Sequence, residues 1–266
     1  MTTPPKLTVD DVSLVYEGRR GRALAALDHV SLVVRENELC VLVGTSGCGK
    51  STLLRLIAGL MQPSSGSIKL DGQEIVGPSK SRGMVFQSYT LFPWLTVREN
   101  VEFGSRFRSL KSTERTEISR HFISVVGLEE FEDAYPKALS GGMRQRVAIA
   151  RALANDPEVI LMDEPFGALD AQTRSIMQEL LLSTWEQERK TILFVTHDID
   201  EALFLADRVL VMSARPGRIR EEMDVAMPRP RDWSMLTTQS FMEGKRRIVQ
   251  LIHDEAKQGA LVGGSK

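Results

Sequence analysis

The stretch GTSGCGKST, residues 44–52, directly follows the apolar run LCVLV and decides the fold of the chain. It matches the phosphate-binding pattern G-x-x-x-x-G-K-[ST]. Glycines let the backbone wind tightly enough to point successive N–H groups inward, which creates an anion site. An apolar strand precedes the motif and an apolar helix follows it. This context favours a phosphate-binding loop over a chance match of the pattern.

Each residue type in the loop has a predicted task. Lys50 is predicted to reach the β- and γ-phosphates of a nucleotide. Ser51 is predicted to ligate Mg²⁺ through its hydroxyl, because hard cations prefer oxygen ligands. Thr52 is predicted to lie near the α-phosphate, and the start of the helix adds its positive dipole end. The predicted nucleotide-binding residues of the loop are Gly44, Thr45, Ser46, Gly47, Cys48, Gly49, Lys50, Ser51 and Thr52.

A second acidic motif, VILMDEP at residues 159–165, ends an apolar run. Asp163 suits a residue that holds Mg²⁺ through water, and Glu164 suits the general base that orients the attacking water. Taken alone, the motif would more simply be an acidic strand end facing solvent. The phosphate-binding pattern about 110 residues upstream favours the functional interpretation. Both motifs are then expected at the carboxyl ends of parallel strands, where such folds bind ligands.

The rest of the pattern predicts an α/β fold. Residues 7–43 are β-rich, and Asp71-Gly72 marks a hairpin. Further on, apolar strands alternate with helices, which implies parallel strands covered on both faces. The helix after the phosphate loop is expected to bury one face, formed by Leu53, Leu56, Ile57 and Leu60.

Composition excludes several classes of protein. The 266 residues are 42% apolar and 26% charged, with a formal net charge of −1, so no basic footprint for nucleic acid is present. Two cysteines give no disulfide framework. The N-terminal residues lack the pattern of a signal peptide. No apolar run approaches the roughly 20 residues of a membrane span. If the chain functions at a membrane, we therefore expect it to act through a partner protein.

Five further elements occur in order and make the chain similar to a known family. They are Tyr16, Gln87, the stretch LSGGMRQR at residues 139–146, Asp170 in GALD and His197 in VTHD. Together with the two motifs above, these elements from about residue 7 to 214 resemble the ATP-binding subunit of an ABC transporter. The resemblance implies a P-loop NTPase core with a parallel sheet, an N-terminal antiparallel β subdomain and an inserted α-helical subdomain.

The resemblance also implies a division of the chain. Residues 1–230 would form the ABC ATPase domain, with the helical subdomain at about 88–155. Residues 231–266 would form a C-terminal helical tail, whose basic cluster at 245–247 is interpreted as a solvated helix face. The tail is too short for an added regulatory domain, which would need about 100 residues.

The resemblance assigns roles by position. Ser140, Gly141 and Gly142 would contact the γ-phosphate held by the phosphate loop of a second subunit, so that two ATP molecules lie between two subunits. A glycine pair at the start of a helix suits this task, because its N–H groups can face an anion. One departure is Met143, which stands where the family usually has Gln. Any polar contact from that position is therefore in doubt.

The remaining roles follow in the same way. Glu164, His197 and Gln87 are the implied catalytic residues: His197 would hold the γ-phosphate and Glu164, and Gln87 would sense Mg²⁺ and the water. Tyr16 would stack on adenine, and Asp170 would lie at the nucleotide site. The implied metal ligands are Ser51, Gln87 and Asp163, and the implied cofactors are ATP and Mg²⁺.

Two stretches narrow the resemblance to the nitrate/sulfonate/taurine importer group. They are SYTLFPWLTVRENV, residues 88–101, and SARPGRI, residues 213–219. The implied partners are a second ATPase subunit, integral-membrane permease subunits and an extracytoplasmic solute-binding protein, with the chain peripheral to the cytoplasmic face of the membrane. Phe92, Pro93 and Trp94 would form part of the surface that docks on the permease. The alternative is that Phe92 and Trp94 belong to the core. The alternative function is a soluble ABC-type ATPase of a nucleic-acid or ribosome-associated process.

Overall fold

The computed structural model describes residues 5–17, 23–213 and 216–263, with side chains up to residue 255. Of the stretch SARPGRI, Ala214 and Arg215 lie outside this range. By its internal contacts the chain forms two compact units, Met1–Ser79 with Lys190–Lys266 and, between them, Lys80–Arg189. The two units are therefore described separately.

The secondary structure alternates in the predicted way. In chain order the strands are β1 Pro5–Glu17, β2 Ala23–Arg35, β3 Leu39–Gly44, β4 Ser65–Leu70, β5 Gln73–Glu74, β6 Arg82–Val85, β7 Val159–Asp163, β8 Thr191–Thr196, β9 Arg208–Met212 and β10 Ile219–Asp224. The helices are α1 Lys50–Ile57, α2 Val97–Glu102, α3 Ser112–Val125, α4 Gly141–Ala154, α5 Ala171–Glu188, α6 Ile199–Leu205 and α7 Gln239–Gly263. Short 3₁₀ turns lie at Gly104–Phe107, Glu129–Phe131, Pro136–Ala138 and Trp233–Thr237.

The first unit contains an antiparallel sheet in the order β2-β1-β4-β5. The predicted hairpin joins β4 to β5, and both turn residues adopt positive φ, 48° at Asp71 and 76° at Gly72. Aspartate tolerates this conformation and glycine adopts it freely. This sheet is the N-terminal antiparallel subdomain that the sequence predicts.

The first unit also holds the parallel strands that carry the phosphate loop. Strand β3 pairs in parallel with β8 on one side and β9 on the other. All residues of the three strands are buried, as expected for strands without a solvent face. Strand β10 adds an antiparallel edge to β9. The sequence did not predict β10, because its residues IREEMD lack a continuous apolar run.

The second unit is mainly helical. Its two strands, β6 and β7, pair in parallel. Helices α2, α3 and α4 contact one another around a buried apolar cluster that includes Val97, Val101, Ile123 and Val147. The predicted fold class, with its parallel strands, antiparallel subdomain and helical insertion, is confirmed. The predicted limits of the helical subdomain, 88–155, stay a prediction.

The helix after the phosphate loop is shorter than predicted. It ends at Ile57, and Gly59 takes a positive φ of 76°. The N–H of Gly59 donates to the Leu56 carbonyl and that of Leu60 to the Arg55 carbonyl, which is the Schellman arrangement. Leu60 therefore lies beyond the helix and is 49% exposed. Its assignment to the buried face was wrong.

Helix α7 has 25 residues, belongs to the first unit and buries Phe241 and Ile248 within it. Among the described residues, no helix combines the length and the apolar content needed to cross a bilayer.

Candidate functional site

The phosphate loop wraps the carboxyl end of β3 in the first unit. Gly47 and Gly49 take positive φ values of 77° and 106°, and Gly49 is the N-cap of α1. These conformations are available to glycine at little cost, which is why the motif needs glycine there. The loop thus turns its backbone back on itself before the helix begins, as an anion nest requires.

Lys50 lies inside this loop. Its residue is only 4% exposed, and its ammonium donates to the carbonyl oxygens of Gly44 at 2.8 Å and Thr45 at 3.0 Å. The same ammonium lies 3.7 Å from the Cys48 sulfur. Burial raises the pKa of the Cys48 thiol, and the nearby Lys50 charge only partly offsets this effect. Cys48 is therefore a protonated, packed thiol of the loop.

The loop is backed by residues that leave no room for side chains. A Cβ at Gly49 would lie 2.7 Å from Leu27 Cδ2 and 3.0 Å from the Ala26 carbonyl oxygen. A Cβ at Gly217 would overlap the carbonyl oxygen of Cys48. Sequence reasoning missed Gly217 as a site residue. Its signal was the glycine in SARPGRI, but the contact joins residues almost 170 positions apart along the chain.

Two other predicted site residues lie in the same unit. Val43 and Thr196 are partners in the parallel ladder, so the phosphate loop and His197 leave neighbouring strands at the same edge. His197 is exposed there. Tyr16 also lies near the loop: its hydroxyl is 3.4 Å from Thr52 Oγ1 and its ring is partly exposed. This unit therefore assembles the loop, an aromatic ring and an imidazole.

The second unit repeats this arrangement with other side chains. Val85 and Met162 are partners in the parallel ladder, and Gln87 and Glu164 each follow by two residues. The Gln87 side-chain amide donates to Glu164 Oε2 at 3.5 Å. Glu164 has a positive φ of 44°, an uncommon conformation for a residue with a side chain. Such strained positions cluster at functional sites.

Asp163 ends strand β7 and is 5% exposed, whereas Glu164 is half-buried. The two neighbouring carboxylates therefore differ in their access to solvent. A buried carboxylate suits a fixed ligand, and a more open one suits a group that must contact water.

The signature stretch begins α4. Ser140 is its N-cap, and its hydroxyl oxygen accepts from the Met143 N–H at 3.2 Å. A Cβ on Gly141 would lie 3.0 Å from the Tyr89 hydroxyl, and one on Gly142 would lie 2.5 Å from Thr173 Cγ2. Met143 packs against the apolar cluster of the helices. The residue that departs from the family pattern thus serves packing.

Asp170 is the N-cap of α5, and its carboxylate accepts from the Thr173 N–H at 3.0 Å. The hydrogen bonds from Thr173 lower the pKa of this fully solvated carboxyl below its ordinary value. Thr173 also limits the space at Gly142, so the signature helix and the start of α5 are packed together in this unit.

The chain matches the family model described as "ABC transporter" over residues 27–167, more than half of its length. It is 54% identical to the uncharacterized ABC transporter ATP-binding protein MJ0412 of Methanocaldococcus jannaschii, over 94% of this chain and 92% of that protein. It is 52% identical to the nitrate import ATP-binding protein NrtD of Synechocystis, over 84% and 83%. It is 46% identical to the aliphatic sulfonates import ATP-binding protein SsuB of Bacillus cereus, over 92% and 94%.

Solved structures that resemble the chain also include ABC transporter cassettes. The chain is 34% identical to the dimeric ABC transporter cassette MJ0796, with a TM-score of 0.74, over 84% of this chain and all of that one. A second structure of that cassette, a dimeric post-hydrolysis state bound to ADP and Pi, gives 34% identity and a TM-score of 0.73, with the same coverage. The predicted resemblance to the nitrate and sulfonate group is confirmed. The chain belongs to the ABC transporter family and is an ATP-binding, ATP-hydrolysing cassette.

Proposed function

We propose that this chain is the ATPase subunit of an importer, which couples ATP binding and hydrolysis in a dimer to uptake of a small anion. One observation carries the catalytic part of this proposal. Two pairs of parallel strands carry the predicted site residues at their carboxyl ends. In one unit these are the phosphate loop and His197, and in the other they are Gln87 and Glu164. Nucleotide binding and water activation are then served by residues that the sheet ladders fix.

In this proposal the phosphate loop holds ATP. Lys50 turns its enclosed ammonium toward the β- and γ-phosphates, and the loop N–H groups bind their oxygens. Tyr16, whose ring is partly exposed beside the loop, stacks on adenine. The hydroxyl of Ser51 at the start of α1 and the carboxylate of Asp163 at the end of β7 would hold Mg²⁺, and Gln87 would sense it. Both Ser51 and Asp163 offer the oxygen ligands that this ion prefers. Bound Mg²⁺ would neutralise phosphate charge.

Hydrolysis needs a base and a second copy of the chain. Glu164 accepts a proton from the attacking water through its half-buried carboxylate, which Gln87 orients by its hydrogen bond. His197 steadies the γ-phosphate. The signature residues Ser140, Gly141 and Gly142 of the second copy face the same phosphate. The Ser140 oxygen already accepts a backbone hydrogen bond in α4, so its O–H remains a donor for a phosphate oxygen.

The relatives support the importer part of the proposal. NrtD is named for nitrate import and SsuB for import of aliphatic sulfonates. We therefore propose nitrate, a sulfonate or taurine as the transported anion. A separate permease and an external solute-binding protein complete the importer, and the chain lies at the cytoplasmic face of the membrane. The nucleic-acid or ribosome-associated alternative is not favoured by these relatives.

An aromatic row in the second unit is proposed to dock on the permease. The ring centroids are 5.7 Å apart between Trp94 and Phe92, 4.3 Å between Phe92 and Phe103, and 5.6 Å between Phe103 and Phe107. Trp94 and Phe107, at its two ends, are 69% and 78% exposed. Exposed aromatic side chains in contact with one another mark interaction surfaces.

The experiment reconstitutes the chain with its permease and binding protein in vesicles and measures ATP-dependent uptake of labelled nitrate, sulfonate and taurine. We expect uptake of one of these anions and none without ATP. Trp94→Ala is expected to abolish uptake while the isolated chain keeps its ATPase rate. Phe131→Ala, a partly exposed aromatic residue of the same unit, is the matched control. An uncoupled ATPase with no uptake of any anion would contradict the importer, and equal uptake by both variants would contradict the docking row.

A further inference from the structure

The helix that follows His197 is short and is held by the C-terminal part of the chain. Helix α6 has seven residues, and its N-cap Asp198 is one position beyond His197. The Asp198 carboxylate accepts from the N–H groups of Asp200 and Glu201 at 2.9 and 3.1 Å. The placement of His197 is therefore tied to the placement of α6.

Two arginines of the C-terminal part bind the other end of this helix. Arg231, which is buried, donates to the carbonyl oxygens of Phe204 at 3.0 Å and Ala206 at 2.7 Å. Arg229 donates to the Leu205 carbonyl at 2.9 Å. The last carbonyls of a helix have no partner within it, so these guanidinium groups satisfy them and interact favourably with the helix dipole.

The last turn of α6 is also packed closely by the same part of the chain. Trp233 stacks on the buried ring of Phe204, with centroids 4.4 Å apart and an angle of 9° between the planes. In α7, a Cβ at Gly244 would lie 3.2 Å from Leu203 Cδ2. The two helices therefore approach where glycine leaves space.

The first turn of α6 is held by an ion pair. The Lys245 ammonium lies 2.7 and 2.8 Å from the two carboxylate oxygens of Asp200. Lys245 belongs to the cluster 245–247 that the sequence assigned to a solvated helix face. The structure corrects this interpretation for Lys245, which is half-buried and paired with Asp200. Arg246 and Arg247 are exposed, although Arg247 is also paired with Glu221.

We propose that residues 225–255, here called the tail segment, position His197 for ATP hydrolysis. Lys245 is the residue of this segment that fixes the placement of His197. The segment holds the first and the last turn of α6, so α6 is expected to move only together with the segment. Lys245 contacts neither the phosphate loop nor Glu164 in the described contacts; it acts through Asp200 and the cap at Asp198. This inference rests on the proposed role of His197.

The test compares Lys245→Met with Arg247→Met. Both residues lie on α7 and form ion pairs of 2.7 Å, but the partner of Arg247 is Glu221 on β10 rather than a residue of α6. In the full chain we expect Lys245→Met to lower kcat for MgATP by about two- to fivefold, the range that a partly exposed ion pair supports. KM for ATP is expected to stay unchanged. Arg247→Met is expected to keep both constants, and Lys245→Arg is expected to restore kcat.

A second readout does not depend on catalysis. The chain has four histidines, and the imidazole C–H signal of His197 can be assigned by its loss in His197→Gln. We expect Lys245→Met to shift this signal in the magnetic resonance spectrum and Arg247→Met to leave it in place.

The outcomes separate this inference from the proposed function. An unchanged His197 signal in Lys245→Met, or equal kcat in Lys245→Met and Arg247→Met, would overturn the positioning role even if the wild type is a good ATPase. A wild-type rate in His197→Ala would instead contradict the proposed role of His197, whatever Lys245 does to the signal. Thermal unfolding of each variant checks that the two methionine substitutions cost similar stability.

Discussion

The chain carries two glycine-rich turns that are built differently. We propose that the first turn of one copy and the second turn of another copy bind the same phosphate. The loop at 44–52 is enclosed, with two glycines at positive φ and a buried lysine. The turn at 140–142 is the open start of a helix, and Ser140 is exposed. The first turn is shaped by the chain itself. The second leaves the Ser140 hydroxyl exposed at the start of α4, which is what a site completed by a second copy requires.

The largest effect is expected from Glu164→Gln. This variant should trap a dimer in which the first turn of one copy and the second turn of the other bind the same nucleotide. The amide keeps the shape of the side chain but cannot accept the proton of water, so we expect kcat to fall by about 10²–10⁴. ATP should stay bound and a dimer should persist on a sizing column. Glu179→Gln, an exposed residue of α5, is the control. Adding Ser140→Asp should abolish the trapped dimer, because a carboxylate would face the γ-phosphate. A dimer that survives this change would mean that the two turns do not share a phosphate.

Lys50→Ala tests the enclosed turn alone. Removal of a charged donor to phosphate should raise the Kd for ATP by about 10- to 100-fold, from about 1.5–3 kcal/mol per such bond. Titration of the monomer with a fluorescent ATP analogue measures this. Ser140→Ala should leave the monomer Kd unchanged, since its partner loop belongs to another copy. Equal losses in both variants would remove the distinction between the turns.

Gly217→Ala probes the support beneath the enclosed turn. Its added Cβ would overlap the Cys48 carbonyl oxygen, so the loop must shift. Overpacking of this kind costs about 1–3 kcal/mol, and we expect weaker ATP binding measured by the same titration. Gly77→Ala is the matched control, because its Cβ would meet no atom within 4 Å. If Gly217→Ala binds ATP as well as Gly77→Ala, the loop does not depend on this contact.

The smallest effect is expected on the pH dependence of stability, through Asp170, the N-cap of α5. The pKa of Asp170 is lowered from 3.8 by the hydrogen bonds from Thr173, so its folded-state pKa lies below its unfolded value. The cap then stabilises the fold above pH about 4, and this contribution is lost as the pH falls through the lower folded-state pKa. Asp170→Asn should flatten that part of the unfolding curve against pH. Asp232→Asn, at the cap of a 3₁₀ turn in the other unit, should leave the Asp170 contribution intact. An unaltered acid limb in Asp170→Asn would contradict the assignment.

Much of the fold and of the candidate site could be predicted from the sequence, because these features depend on residues close together in the chain. The apolar run before Gly44, the helix start at residues 140–142 and the turn at Asp71 each follow from neighbouring residues. What the sequence did not predict is non-local. Gly217 matters through an atom of Cys48, and Lys245 through Asp200 on another helix. Leu60 was misplaced because the apolar spacing continues past the glycine that ends the helix. The assignment of roles to site residues stays a prediction.

Strand β10 has one more consequence. It lies at the edge of its sheet and presents Arg220, Glu222 and Asp224 at exposed alternate positions, with Ile219, Glu221 and Met223 on the half-buried side. An unpaired edge invites the strand of another molecule, and charged side chains discourage such pairing. The strand that pairs with β9 is therefore expected to discourage edge-to-edge pairing between folded copies of the chain.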